Sequence, residues 1–350
     1  MVFRGLKTWL PSDVRKQLAV KAKLIDLYEQ WSYEPIVVQS LVDIDVINKA
    51  NKKFTDKTFT FLDKDGEMIA LRTELTQPIA KSIAGRSQEL EFPLKLYYDA
   101  SVFRYKGSPT DESREIQQVG IEYIGAKATE NYSDSEVLQL LIDSAKQFSL
   151  ENFQISLTDT KIWEAIFEKL PKEIAEKAYN LALNGDFLNF TKLTETNEIL
   201  KAIYSPELLR LNSKEQLEYI EKLLNIELNE LKSLVQISTK IQIVPYQCPD
   251  LDLYTGIHFK LIVRGQGIHI AMGGRYDNLY ASFGEDLPAI GFAFYIPRLI
   301  SALANLDLLE KISTKESSIE LKNKSQSWGE IYQEAQNQFK DGNKVLICNK

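Results

Sequence analysis

A chain of 350 residues, 44% hydrophobic and 26% charged, has the make-up of a globular protein with room for one large domain and a smaller one, or for two comparable ones. A formal charge of −7 argues against a basic nucleic-acid-binding face, two cysteines against a disulfide framework or a paired zinc site, and two histidines against a His-rich metal centre. No apolar run approaches the roughly 20 residues of a membrane span, and the opening MVFRGLKTWLPSD carries no export signal, so a cytoplasmic, reducing location is expected.

From the N-terminus, residues 12–31 read as a helix that Ser12 or Asp13 can cap, with Leu18, Ala19, Ala22, Leu24, Ile25 and Tyr28 at helical spacing. A strand-like run, PIVVQSLV, follows at 35–42. Strands at 59–62 and 68–72 flank Asp63-Lys64-Asp65-Gly66, a hairpin turn in which glycine accepts positive φ. A helix is expected at 76–86, strands at 94–104 and 117–124, and a periodic helix at 133–149 with Val137, Leu138, Leu140, Leu141 and Ile142 on its apolar side. Residues 160–235 are helical in pattern throughout and read as an insertion between two sheet-forming regions. Strand patterns return at 241–244, 256–263 and 267–272, and 288–305 is a strand running into a helix. Residues 306–327 are polar and rich in Ser and Lys, the composition of a linker, and 328–350 hold one helix and one strand. Antiparallel strand signals interrupted by helices give an α+β fold on a large antiparallel sheet flanked by helices.

Three polar clusters fall on or beside these strands. In LRTELTQP at 71–78, Thr76 reads as a helix N-cap with Glu74 exposed beside it, or both as ligand-binding groups. In REIQQVGIE at 114–122, alternation puts Gln118, Gly120 and Glu122 on one strand face, either solvated or offering an amide and a carboxylate to one ligand. The glycine pair of MGGRYDNL at 272–279 marks backbone close to a ligand or a strand end turning into a helix. His258 and His269 read as strand residues rather than catalytic groups.

Together with CPDLDLYTGIHF at 248–259, these clusters resemble histidyl-tRNA synthetase, a class II aminoacyl-tRNA synthetase. FRGLKTWLP at 3–11 is similar to the family's RGxRDxLP, LRTELT to LRPEGT, and the stretch around Phe103 and Arg104 to motif 2. CPDLDLYTGIHF is similar to RGLDYYTxxxFE, GGRYD at 273–277 to GGRYDGL, and GFAFYIPRL at 291–299 to motif 3, GFAxGxERL. The likeness runs collinearly from about residue 3 to 305. It implies a class II core over 1–305 with the helical insertion at about 160–235, a linker at 306–327, and a vestige of an anticodon-binding domain at 328–350. By position, Glu74, Thr76, Gln118, Glu122, Tyr254 and Tyr276 would hold free histidine, and Arg104 and Arg298 would remain on the nucleotide side.

Several positions depart from the pattern. Pro249 stands where the family carries the arginine beside the amino-acid carboxylate, and proline supplies neither charge nor N–H. Lys106 replaces the motif 2 glutamate, the basic loop shrinks to GSPTDES, Gln117-Gln118 replaces the usual His-Gln, Tyr295 and Pro297 replace the motif 3 glycine and glutamate, and Val38 takes the place of the motif 1 proline. Synthetase architecture with damaged catalysis resembles one paralogous family, the regulatory subunits of ATP phosphoribosyltransferase. That resemblance implies a non-catalytic chain without cofactor or metal, self-associating as a dimer. It would join a short-form catalytic subunit in a hetero-octamer of four plus four, with histidine as effector and no tRNA or membrane partner. A divergent active histidyl-tRNA synthetase, and a histidine-sensing module with another partner, stay open on the residues alone.

Overall fold

Two ten-residue strands, β5 (Leu94–Phe103) and β6 (Glu115–Ile124), pair antiparallel at the heart of the protein. Alternation along β6 sends Val119, Ile121 and Tyr123 into the main core and leaves Gln118, Gly120 and Glu122 on the opposite face. The same split on β11 (Ala289–Tyr295) buries Phe292 and Phe294 in that core, with Ala293 and Tyr295 packed on the other side. A computed structural model describes residues 8–45, 47, 58–105, 113–126, 132–312, 318–322, 328–340 and 344–348.

Among the described residues the main sheet has eight strands in the order β1-β5-β6-β11-β10-β9-β7-β8. The remaining members are β1 (Glu34–Pro35), β7 (Phe153–Asp159), β8 (Ile241–Ile243), β9 (Ile257–Val263) and β10 (His269–Arg275). The interior pairs are antiparallel, whereas β1·β5 and β7·β8 at the two margins are parallel, so the expected antiparallel sheet is mixed at its edges. Helices α1 (Pro11–Gln30) and α3 (Ser133–Gln147) cover the main-core face, with Val20, Leu24 and Tyr28 from one and Val137, Leu141 and Ile142 from the other. Helix α2 (Thr76–Ala84) packs with the second cluster through Ile79, Ala80 and Ile83. Seven helices, α4–α10, fill the stretch between β7 and β8, the first Thr160–Lys169 and the last Asn229–Leu234. Helix α11 (Ile296–Asn305) follows β11 directly.

A small three-stranded sheet of β2 (Leu41–Asp43), β3 (Thr60–Leu62) and β4 (Met68–Leu71) has the order β2-β4-β3. Its hairpin turns at Gly66, whose φ of +84° suits a residue without Cβ, while Asp63 Oδ1 accepts from the amides of Asp65 and Glu67 at 2.9 Å. The run at 35–42 is not one strand: Val37 is 95% exposed, and the chain leaves the main sheet after Pro35 and joins the small one at Leu41. Helix α1 starts at Pro11 with Leu10 as N-cap, so neither Ser12 nor Asp13 caps it. Strand β10 continues through the glycine pair to Arg275 instead of ending there.

Within the stretch expected to be a linker lie α12 (Leu309–Ile312) and β12 (Ser318–Lys322). Leu309 is buried against the main core and Lys16 Nζ meets Glu310 Oε1 at 2.8 Å, local contacts that a polar average composition hides. β12 pairs parallel with β13 (Lys344–Cys348), with α13 (Trp328–Lys340) between them in sequence. Among the described residues no helix is long and apolar enough to cross a membrane.

Candidate functional site

On the sheet face away from the main core lies a cavity of about 270 Å³. Its floor is β6, β10 and β11, and its walls come from β5, the turn into α2 and the loop before β9. Glycines hold it open. A Cβ at Gly274 would strike the Tyr254 ring and the Ile257 carbonyl, and one at Gly291 would strike Glu122 Oε2 and the Tyr276 hydroxyl. The glycine pair therefore marks close approach of backbone and side chain. The Tyr254 ring is positioned by a turn in which its amide donates to Asp250 O at 2.8 Å, and its centroid lies 4.6 Å from that of His258. His258 is in turn held 3.2 Å from Gln247 Nε2, and burial keeps it neutral by lowering its pKa well below the ordinary range.

Glu74, Thr76, Gln118, Glu122, Tyr254, Tyr276 and Arg104 all line this one cavity. Glu74 is partly buried, and its carboxylate caps α2 by accepting the amides of Thr76 at 2.7 Å and Gln77 at 2.9 Å. The capping group is thus Glu74, not Thr76. Thr76 instead donates its hydroxyl to Glu122 Oε1 at 3.0 Å, which ties the two carboxylates to one residue. Gln118 is 4% and Glu122 2% exposed, so their strand face is an interior one. Glu122 Oε2 and the Tyr276 hydroxyl are buried with no hydrogen-bond partner.

Burial raises the Glu74 carboxyl to about 7 against the opposing pull of the two amides and of Arg104. Glu122 is raised well above the ordinary range, by burial first and by the charge of Glu74 in addition, with the Thr76 bond opposing. Such a pair suits a ligand that brings positive charge and N–H donors.

Arg298 stands apart. Its guanidinium lies 4.2 Å from the centroid of Tyr295, with Nη1 2.9 Å from His269 Nε2 and donating to His269 O at 3.2 Å. Tyr295, which lines the cavity, has its hydroxyl 3.1 Å from Met272 Sδ. Pro249 is buried and off the lining, its carbonyl 3.4 Å from the Tyr179 hydroxyl. Arg275 forms a buried ion pair with Asp134, reaches Asp277 Oδ1 at 2.8 Å and Ser133 Oγ at 2.6 Å, and fastens β10 to α3. Lys106, most of GSPTDES and the first residues of FRGLKTWLP lie outside the described residues.

Sequence reasoning missed Tyr98 and Asp250 as lining residues and the part Tyr295 plays. Tyr98 faces Gly120 across β5 and β6, and a Cβ at Gly120 would collide with its phenol. A mid-strand glycine opposite an aromatic was the available signal.

A family model described as Histidyl-tRNA synthetase matches residues 5–299. The chain belongs to that family. An ATP phosphoribosyltransferase regulatory subunit of Clostridium novyi (strain NT) is 31% identical over 327 residues, 87% of this chain and 76% of the relative. A histidine--tRNA ligase of Methanocaldococcus jannaschii is 30% identical over 325 residues, 88% of this chain and 77% of the relative. The crystal structure of an ATP phosphoribosyltransferase regulatory subunit/histidyl-tRNA synthetase from Bacillus halodurans C superposes with a TM-score of 0.82 at 21% identity, over 100% of this chain and 92% of that one. The fold is that of the class II histidyl-tRNA synthetases.

Proposed function

We propose that this chain is the regulatory subunit of ATP phosphoribosyltransferase and catalyses nothing itself. The short catalytic subunit would need it for activity and for feedback inhibition by histidine in the first step of histidine biosynthesis. In this reading a dimer of the chain takes part in a cytoplasmic hetero-octamer of four regulatory and four catalytic subunits, without tRNA. Relatives named as regulatory subunits at 30–31% identity support the role.

One observation carries the reading: the residues expected to hold histidine line a single cavity, while Pro249 and Arg298 lie off its lining. Glu74, Thr76, Gln118, Glu122, Tyr254 and Tyr276 converge on it and suit an ammonium and an imidazole, at roughly 1.5–3 kcal/mol per charge-assisted contact. On the side of an activated acyl phosphate, Pro249 brings no cation and Arg298 is engaged with Tyr295 and His269. Loss of one electrostatic stabiliser commonly costs roughly 10²–10³ in rate. A chain that binds but cannot activate is suited to bias a partner, with coupling on the scale of about 1–3 kcal/mol.

The test is phosphoribosyl-ATP synthesis by the catalytic subunit with and without this chain across a histidine titration. Activity that depends on the chain and falls with histidine is expected; full, histidine-insensitive activity without it refutes the proposal. The ligase of Methanocaldococcus jannaschii, 30% identical, favours a second reading as an active synthetase. Histidine-dependent ATP–pyrophosphate exchange decides between them, and robust exchange selects the second.

A further inference from the structure

Two carboxylates in this cavity are fastened to one residue. Thr76 donates its amide to Glu74 Oε2 at 2.7 Å and its hydroxyl to Glu122 Oε1 at 3.0 Å. Among the described residues no ion pair reaches either acid: Arg104, the guanidinium on the lining, donates its Nε to Thr73 O at 3.1 Å and acts on Glu74 only at longer range. Glu122 is 2% exposed and its Oε2 has no partner, nor has the Tyr276 hydroxyl that borders the same space above Gly291.

The groups around Glu122 supply no matching charge. Phenols close on it from Tyr98 of β5, Tyr254 before β9, and Tyr276 and Tyr280 after β10, with Tyr295 of β11 on the same lining. Burial pushes Tyr98, Tyr254 and Tyr280 upward, so they stay neutral hydroxyls. The charged groups on the lining are Glu74, Asp250 and Arg104. Two carboxylates withdrawn from water with no cation between them resist ionising together. A proton held by the pair removes that repulsion and turns Oε2 from an idle acceptor into a donor beside Tyr276. The upward displacement of both carboxyls runs the same way.

We propose that the empty cavity holds a proton on the Glu74–Glu122 pair and that an ammonium-bearing ligand expels it, so that histidine enters as a proton leaves. The proposal rests on the reading that the cavity is an imidazole–ammonium site. The acid O–H ionises and its proton passes to solvent. The ligand's N–H groups and positive charge then take its place against the carboxylate. Occupancy of the site is thereby tied to pH.

Titration calorimetry of the full chain with L-histidine, at pH about 7.5 in buffers of different ionisation enthalpy (PIPES, HEPES and Tris), counts the protons exchanged. At that pH the free ligand already carries its ammonium and its ring is largely neutral, so a released proton comes from the protein. About 0.5–1 proton released per ligand is expected, with affinity rising about three- to tenfold from pH about 7.5 to about 8.5. Glu122→Gln, which keeps an acceptor for Thr76 and removes the acid, is expected to bring the proton count close to zero.

Histidine binding with no proton released, or with net uptake, overturns the proposal and leaves the histidine-sensing reading intact. A proton count undiminished in a folded, binding Glu122→Gln overturns it as well. If histidine does not bind, the proposal falls together with the cavity's role as a ligand site, while the phosphoribosyl-ATP assay still decides the regulatory role. Should Glu122→Gln fail to fold by circular dichroism, or fail to bind, the wild-type buffer series decides alone.

Discussion

Glu74 takes its proton in the folded chain near pH 7, and that displacement has a definite sign in stability. A carboxyl raised from the ordinary 4.5 to about 7 holds more protons folded than unfolded across that interval, so its contribution falls as pH rises through it. His269 acts the other way: lowered to about 3 by burial and by Arg298, it stays neutral when folded, and stability is lost as pH falls below the ordinary 6.5. The two trends oppose each other between 4.5 and 6.5, so the informative quantity is a difference. We expect the melting temperature of Glu74→Gln relative to wild type to climb as pH goes from about 4.5 to about 7. A pH-independent offset, the signature of the lost helix cap alone, would show that the carboxyl is not displaced. At Gly274 the constraint is steric. Gly274→Ala drives a methyl into the Tyr254 ring and the Ile257 carbonyl, and ligand affinity measured by calorimetry should drop at least ~10-fold, or about 1.4 kcal/mol.

Elements with a strict period were legible from the chain alone. The alternation of β6 and the apolar side of α3 reach the structure unchanged because both are buried against one continuous core. The run PIVVQSLV misled because β-branched composition reports a propensity, while its backbone is divided between two sheets and Val37 points to solvent. At the site, motif order made Glu74, Thr76, Gln118, Glu122, Tyr254 and Tyr276 readable as a group. Tyr98 left only an indirect sign, the mid-strand Gly120, because its place depends on which residue faces it across the strand pair. Arg275 belongs to this scale too, since it joins one strand to one helix. Asp134→Ala leaves a 5% exposed guanidinium short of its buried partner and should cost about 3–5 kcal/mol in urea unfolding. The double variant Asp134→Leu, Arg275→Met should recover a large part of that loss, and equal losses in both would show that the ion pair itself is not the cause.

Over the whole molecule, the departures from the family's motif pattern are distributed rather than gathered at one position. Pro249 lies off the cavity lining, and the Arg298 guanidinium faces Tyr295 and His269. Pro249→Arg alone should therefore produce no measurable histidine-dependent ATP–pyrophosphate exchange. Exchange restored by that one change would mean that a single substitution had silenced the enzyme. Thr76 ties the cavity to the start of α2. Its amide is fastened to Glu74 and its hydroxyl to Glu122, 46 positions further along. Whatever claims the idle oxygen of Glu122 pulls on a rope whose other end is the first turn of α2. A ligand that engages that oxygen would therefore act on the helix through two bonds of one small side chain.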